Sequence, residues 1–229
     1  MKKNYFLILF CFLIYTAYSQ KCNYFSMSFA QTFSTFKYKD SQGNKDSEMN
    51  WANHFSYALN LSRVFKNNVY LIGEIGFKQL GANSSIYNQK LNWHLNYLDA
   101  NIGFGKTFKK KNSRFYSYIG ISGYGSLLLT AQQTVGNNYY NLIEKDTAVL
   151  RKTDYGATLH LGINIRPFGG DIKNTLFFIE LRPSMGLCQL EENTEGHTEE
   201  LKNNAISIYA GLRFKFDKNT LPVLFGKRK

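Results

Sequence analysis

The chain has 229 residues, 44% hydrophobic and 19% charged, which suffices for one domain with an ordered core and excludes collagen, coiled-coil and disordered-tail readings. With 19 Phe and 16 Tyr against 3 Pro the composition is β-rich, because aromatic side chains suit pleated surfaces, and 3 Cys are too few for a disulfide scaffold or a four-cysteine zinc site. A net charge of +12 raises nucleic-acid binding, but the export signal at the start of the chain argues against that partner, so no nucleic acid is expected.

Lys2 and Lys3, an apolar run from Tyr5 to Tyr15 and the small-residue pattern Ala17, Tyr18, Ser19 follow the order of a secretory signal. The run is too short for a membrane anchor, which needs about 20 apolar residues. Cleavage near Ser19 divides the chain into a leader (1–19), a folded unit (20–216) and a basic tail (217–229). Cys22 follows Ser19, Gln20 and Lys21 rather than the small residues that precede an acylated cysteine, so no lipid anchor is expected. Export leaves Cys22 and Cys188, which fall at opposite ends of the strand map, and no disulfide is expected.

Beyond the leader the recurring signal is period-two alternation, the signature of strands with one apolar face. Phe25, Met27, Phe29 and Phe33 mark a strand over 24–37, and Phe55, Tyr57, Leu59 and Leu61 one over 49–65. Val69, Leu71, Ile75 and Phe77 mark a third over 69–82. The fourth, 91–108, changes parity from Leu91, Trp93, Leu95, Tyr97 to Leu98, Ala100, Ile102, Phe104, which predicts a bulge near Tyr97. The fifth, 114–130, carries Phe115, Ile119, Ile121, Leu127 and Leu129 on its apolar face. The sixth, 153–166, alternates from Tyr155 to Ile165, the seventh spans 175–189 with Phe177, Ile179 and Leu181, and the eighth spans 203–216 from Ile206 to Phe216.

The connections alternate between short turns, such as Lys66, Asn67, Asn68, Lys110 to Ser113 and Pro167 to Gly170, and longer loops at 38–48, 131–152 and 190–202. That alternation predicts an all-β, eight-stranded, antiparallel, up-and-down transmembrane barrel with short periplasmic turns, longer outer loops and both termini in the periplasm. A soluble lipocalin-like barrel shares the strand count but puts its apolar residues inside, whereas here charges crowd the polar face at mid-strand. Two aromatic belts are predicted: Trp51 and Trp93 at outer strand ends, and Phe104, Phe214 and Phe216 near inner ends.

Parity turns Glu74, Lys78, Glu180, Arg182, Arg213 and Lys215 inward, and an interior charge network of Glu74 and Glu180 with Arg182 and Arg213 is expected to fill a non-conducting lumen. His54 and Ser56 share one strand face and superficially resemble the His and Ser of outer-membrane lipid A deacylases; no carboxylate is assignable to them, so interior packing is expected and no enzyme. His94 and His160 read as interior hydrogen-bonding residues. Removal of Lys2 and Lys3 lowers the net charge from +12 to +10, with much of the excess at periplasmic ends such as Lys106, Lys109 and Arg114, where it meets lipid phosphates, an acidic partner or solvent. Glu191, Glu192, Glu195, Glu199 and Glu200 around His197 can collect a cation, but EF-hand spacing is missing and a solvated acidic loop is expected. Neither metal nor cofactor is predicted.

The segments YLDANIGFGKTF (Tyr97 to Phe108), FYSYIGISGYGSLLL (Phe115 to Leu129) and ISIYAGLRFKF (Ile206 to Phe216), with the leader and the eight strands, resemble the PorT-like outer-membrane β-barrel families common in Bacteroidota. The resemblance spans about residues 20 to 216 and rests on strand texture without a catalytic signature. It implies outer-membrane lipid and, during assembly, the barrel-insertion machinery as partners, the latter reading a last strand that here ends at Phe216 with a tail beyond it. A family namesake implies, as a second reading, an accessory of a type IX-like secretion complex with a periplasmic partner. The first reading is a structural or surface-interaction protein acting through its outer loops, and a third is an outer-membrane lipid-modifying enzyme.

Overall fold

The computed structural model describes residues 22–39, 49–86, 89–109, 113–143, 150–167, 174–191 and 200–216. The leader, the basic tail, the turn residues Lys110 to Asn112 and Phe168 to Gly170, and the acidic-loop residues Glu192 to Glu199 lie outside the described residues.

Among the described residues ten strands form in chain order: β1 (Cys22–Lys39), β2 (Ala52–Val64), β3 (Val69–Leu80), β4 (Asn83–Ile86), β5 (Gln89–Phe108), β6 (Phe115–Val135), β7 (Asn138–Asn141), β8 (Thr153–Ile165), β9 (Thr175–Gly186) and β10 (Glu200–Phe216). Eight of them close a ring in the order β1, β2, β3, β5, β6, β8, β9, β10, each antiparallel to its neighbours. The first and last strands seal it in continuous register from Asn23 opposite Phe216 to Lys39 opposite Glu200. The remaining two, β4 and β7, which alternation alone did not signal, flank the extended ends of β5 and β6.

One end of the ring carries both chain ends of the barrel and the short connections; the other carries the long ones. They are called here the turn end and the loop end. At the turn end Asn68 takes a left-handed φ of 63°, which Asn tolerates, while the Phe65 N–H donates to the Val69 carbonyl at 2.8 Å. At the loop end Gly136, at φ 60°, opens the two-residue turn between β6 and β7.

Alternation sorts the faces. On β5 the even positions from Leu98 to Phe108 point outward and, except for Lys106, are apolar or small. That length matches the roughly 9 to 11 residues with which a tilted strand crosses a bilayer. Phe29, Phe55, Ile75, Ile119, Leu159, Ile179 and Ile208 continue the exposed apolar band around the ring. Inside the band the wall is polar: Ser26, Thr32, Ser56, Asn60, Ser122, Asn164 and Ser207 are buried, and the Thr32 hydroxyl lies 2.9 Å from both the Ser56 and the Ser207 hydroxyls.

Toward the loop end both faces invert. Outward positions become polar at Lys37, Asn53, Gln79, Asn96 and Thr130, while inward ones become apolar. Phe36, Leu80, Ala82, Leu95, Tyr97, Leu128, Ala131, Leu150, Leu190, Leu201 and Ala205 pack there as one buried cluster. The predicted bulge is present at the expected level, where the register shifts between Asn96 and Tyr97, but the change of pattern along β5 has another cause. β5 keeps one alternation throughout, with Leu91, Leu95, Tyr97 and Asp99 all inward, and only the chemistry of the inward face changes. The extra residue sits across the pair on β6: Asn96 faces Thr130 and Tyr97 faces Leu128, leaving Leu129 unmatched.

Inward glycines have a steric reason. Tyr70, Tyr118, Tyr124 and Phe178 lie directly opposite Gly105, Gly162, Gly156 and Gly211 on the neighbouring strands, so each ring rests where a neighbouring side chain would stand. A Cβ at Gly162 would come within 2.3 Å of the Tyr118 ring.

Candidate functional site

The charged lumen is built by strands on opposite walls. β3 and β9 are four strands apart in the ring of eight, so a contact between them spans the interior. Arg182 of β9 makes one: its Nη1 donates to Glu74 Oε1 of β3 at 2.7 Å. On its own strand Nη2 donates to Glu180 Oε2 at 3.2 Å, and Nε stands 3.0 Å from Oε1 in ion contact without hydrogen-bond alignment. The guanidinium also lies 3.9 Å from the centroid of the Tyr209 ring. A second crossing joins Lys78 Nζ of β3 to Ser184 Oγ of β9 at 3.2 Å, with the ammonium over the Tyr124 ring. Glu74, Glu180 and Arg182 are each more than nine-tenths buried, so their charges depend on one another rather than on water.

The predicted network is thus corrected at one member. Arg213 shares the lumen but makes no ion pair with either glutamate; its Nη1 donates to Asn164 Oδ1 at 2.8 Å and its Nε to Ser26 Oγ at 3.3 Å, between the rings of Tyr118 and Phe178. The height difference between β10 and β9 in their register, Arg213 opposite Leu176, carries it toward the turn end. Glu180 instead accepts from the Tyr118 hydroxyl at 2.9 Å and faces His160 Nδ1 at 2.5 Å.

That histidine carries the arrangement one step further: its Nε2 lies 2.8 Å from Ser122 Oγ. Ser122, His160 and Glu180 therefore stand in the order nucleophile, base and orienting carboxylate. Three different strands supply them, β6, β8 and β9, so nothing in their sequence spacing announces the group. Ser122 is buried, and it lines neither the cavity beside Arg213 nor the one beside Arg182. Asp99 and Asp154 are also buried inward acids that parity could have found; Asp154 Oδ2 accepts from Asn203 at 2.8 Å, and Asp99 accepts from Ser126 and Asn101.

His54 and Ser56 point inward and do not bond to each other. Ser56 bonds Thr32, and the His54 ring meets His94 edge to face at 5.4 Å between centroids; His94 itself is exposed, which corrects its reading as an interior residue. Of the belt residues, Trp51 and Phe104 are exposed, and Phe214 and Phe216 are half-buried on the outward parity of β10 at the turn end. Trp93 departs from the belt. It shares the inward face of Leu91 and Leu95 and packs against Phe36 at 5.9 Å between centroids, because at its height the apolar medium is the interior. Glu200 of the acidic stretch lies 3.2 Å from Lys202 and 3.5 Å from Lys39; the hydrogen bond from Lys202 and the charges of both lysines hold its carboxyl below the usual range. Among the described residues no group of His, Cys, Asp and Glu is arranged to hold a metal.

A family model described as "Outer membrane protein beta-barrel domain" matches residues 18–192. Among solved structures, the outer membrane protein OprG from Pseudomonas aeruginosa superposes with a TM-score of 0.51 at 11% identity, covering 86% of this chain and 97% of its own. Neisserial surface protein A gives 0.47 at 14% identity over 85% and 97%, and the Escherichia coli outer membrane protease OmpT gives 0.46 at 9% over 86% and 98%. No curated protein matches the sequence. At such identities these likenesses speak to the fold alone.

Proposed function

Because the chain belongs to the outer membrane protein β-barrel domain family, we propose that it is a closed, non-conducting and non-enzymatic barrel that carries its loop end at the cell surface as an interaction platform. The Arg182 to Glu74 contact supports this most directly, since it ties opposite walls together with side chains that reach across the lumen. The apolar cluster beneath the loops supports it too, because a packed core ties together the loop ends of β1, β3, β5, β6 and β10. In this reading the turns and termini face the periplasm, outer-membrane lipid surrounds the band, and the insertion machinery acts during assembly.

Purified protein in a planar bilayer is expected to give no steady unitary currents, and open-channel currents would overturn the filled lumen. A tag inserted at Gly136 is expected to be cut by protease on intact cells and one at Lys111 to be protected; the reverse would invert the orientation. The PorT-like resemblance keeps an accessory role in a type IX-like secretion complex as a second reading, tested by native co-purification of a periplasmic partner.

The geometry of Ser122, His160 and Glu180 favours a third reading, an acyl-transfer enzyme with Ser122 as nucleophile. Burial of Ser122 weighs against it. Labelling of wild type by a fluorophosphonate, lost in Ser122→Ala, would bring it forward.

A further inference from the structure

Beneath the charge network, at the turn end, lies a cavity of about 90 Å³ lined by Tyr70, Lys109, Tyr118, Glu180 and Arg213 among others. We propose that it is a binding site for a small oxyanion, a phosphate group either free or carried by a larger molecule that extends through the opening. The inference rests on the turn end alone and stands whichever way the loops face.

Three features point to an anion. Arg213 is buried, lines the cavity and hydrogen-bonds only neutral partners, Asn164, Ser26 and Tyr118, with no carboxylate of the described residues within ion-pair distance. Such a charge gains from any anion that reaches it. Glu180, the one carboxylate among the described lining residues, is engaged directly by Arg182, His160 and Tyr118 and reaches Arg213 only through its field, outside ion-pair distance. Lys109 adds a second positive charge from the exposed end of β5.

The Tyr70 hydroxyl is the second feature. It is buried without a hydrogen-bond partner. Packing fixes it nonetheless: a Cβ on Gly105 would fall 2.5 Å, and one on Gly120 2.3 Å, from that oxygen. A fixed, unsatisfied hydroxyl on the wall of a cationic cavity is a donor held ready for an acceptor. Size is the third feature. A cavity of about 90 Å³ has room for a phosphate or carboxylate group together with ordered water.

The test uses the folded full chain in zwitterionic detergent, reading the temperature at which its gel mobility shifts. At equal ionic strength inorganic phosphate is expected to raise that temperature saturably and chloride to leave it unchanged. Tyr70→Phe keeps the ring on its two glycines, so without ligand it should melt as wild type does, yet bind phosphate at least threefold more weakly. Lys109→Gln should weaken binding and flatten its salt dependence. Arg213→Gln should abolish the response, with Tyr70→Phe carrying the test should that variant not fold. Glycerol phosphate binding as well as phosphate assigns the site to the free anion; tighter binding assigns it to a phosphate ester. Equal shifts with phosphate and chloride, or an unchanged response in Tyr70→Phe, would overturn the proposal.

Discussion

Between Leu98 and Phe108, β5 turns Leu98, Ile102 and Phe104 outward and Asp99, Asn101 and Thr107 inward; between Leu91 and Tyr97 it turns Asn92, His94 and Asn96 outward and Leu91, Leu95 and Tyr97 inward. One strand, with one backbone alternation, therefore serves two opposite solvation problems. In the first stretch the surrounding medium is apolar and the lumen must satisfy its own polar groups, through bonds such as Arg182 to Glu74 and Thr32 to Ser56. In the second the medium is aqueous, and the hydrophobic effect gathers Leu95, Tyr97, Leu128 and Leu190 inside as in a soluble barrel. The switch needs no change of fold, only a change in which alternate residue is apolar.

The largest expected effect on this contrast is at Arg182. Arg182→Ala leaves Glu74 and Glu180 buried without their cation and should cost about 3 to 5 kcal/mol, measured by urea unfolding in detergent. Because closed barrels resist SDS until heated, the gel-shift temperature should fall with it; an unchanged midpoint would mean that water, not Arg182, carries the glutamates. At the loop end Leu95→Ala, at a fully buried site, should cost about 3 kcal/mol by the cavity it leaves. Hydrogen exchange should localise that loss to β5 and β6 beyond Tyr97, and a loss spread evenly over the barrel would show that the two regions unfold as one.

The outer faces provide a paired test. Ile102→Arg puts a charge at mid-band and should destabilise by about 2 to 4 kcal/mol, whereas Tyr139→Arg, on the exposed β7, should not change stability measurably. Similar costs for both would place the apolar band at the wrong height. A smaller cost than that of Ile102→Arg is expected for Gly162→Ala, whose new methyl group meets the Tyr118 ring that bonds Glu180. Overpacking of that kind costs about 1 to 3 kcal/mol, and Tyr118→Leu in the same chain should relieve part of it.

Much of this was legible in the residues. Side chains two apart on a strand share a face, so period-two alternation located all eight ring strands and turned Glu74, Glu180, Arg182 and Arg213 inward without any knowledge of their partners. Asn68 announced its turn by its tolerance of positive φ. Partnership was another matter. Arg182 meets Glu74 across 108 positions of chain, and Ser122 meets His160 and Glu180 from separate strands, because the stagger between neighbouring strands sets which inward residues share a height. That stagger also sent Arg213 to the turn-end cavity and placed the bulge at Leu129 rather than on β5. Trp93 looked like a membrane-facing aromatic for the same reason: alternation says which residues share a face, while only ring closure and the level of the apolar band say what medium that face meets.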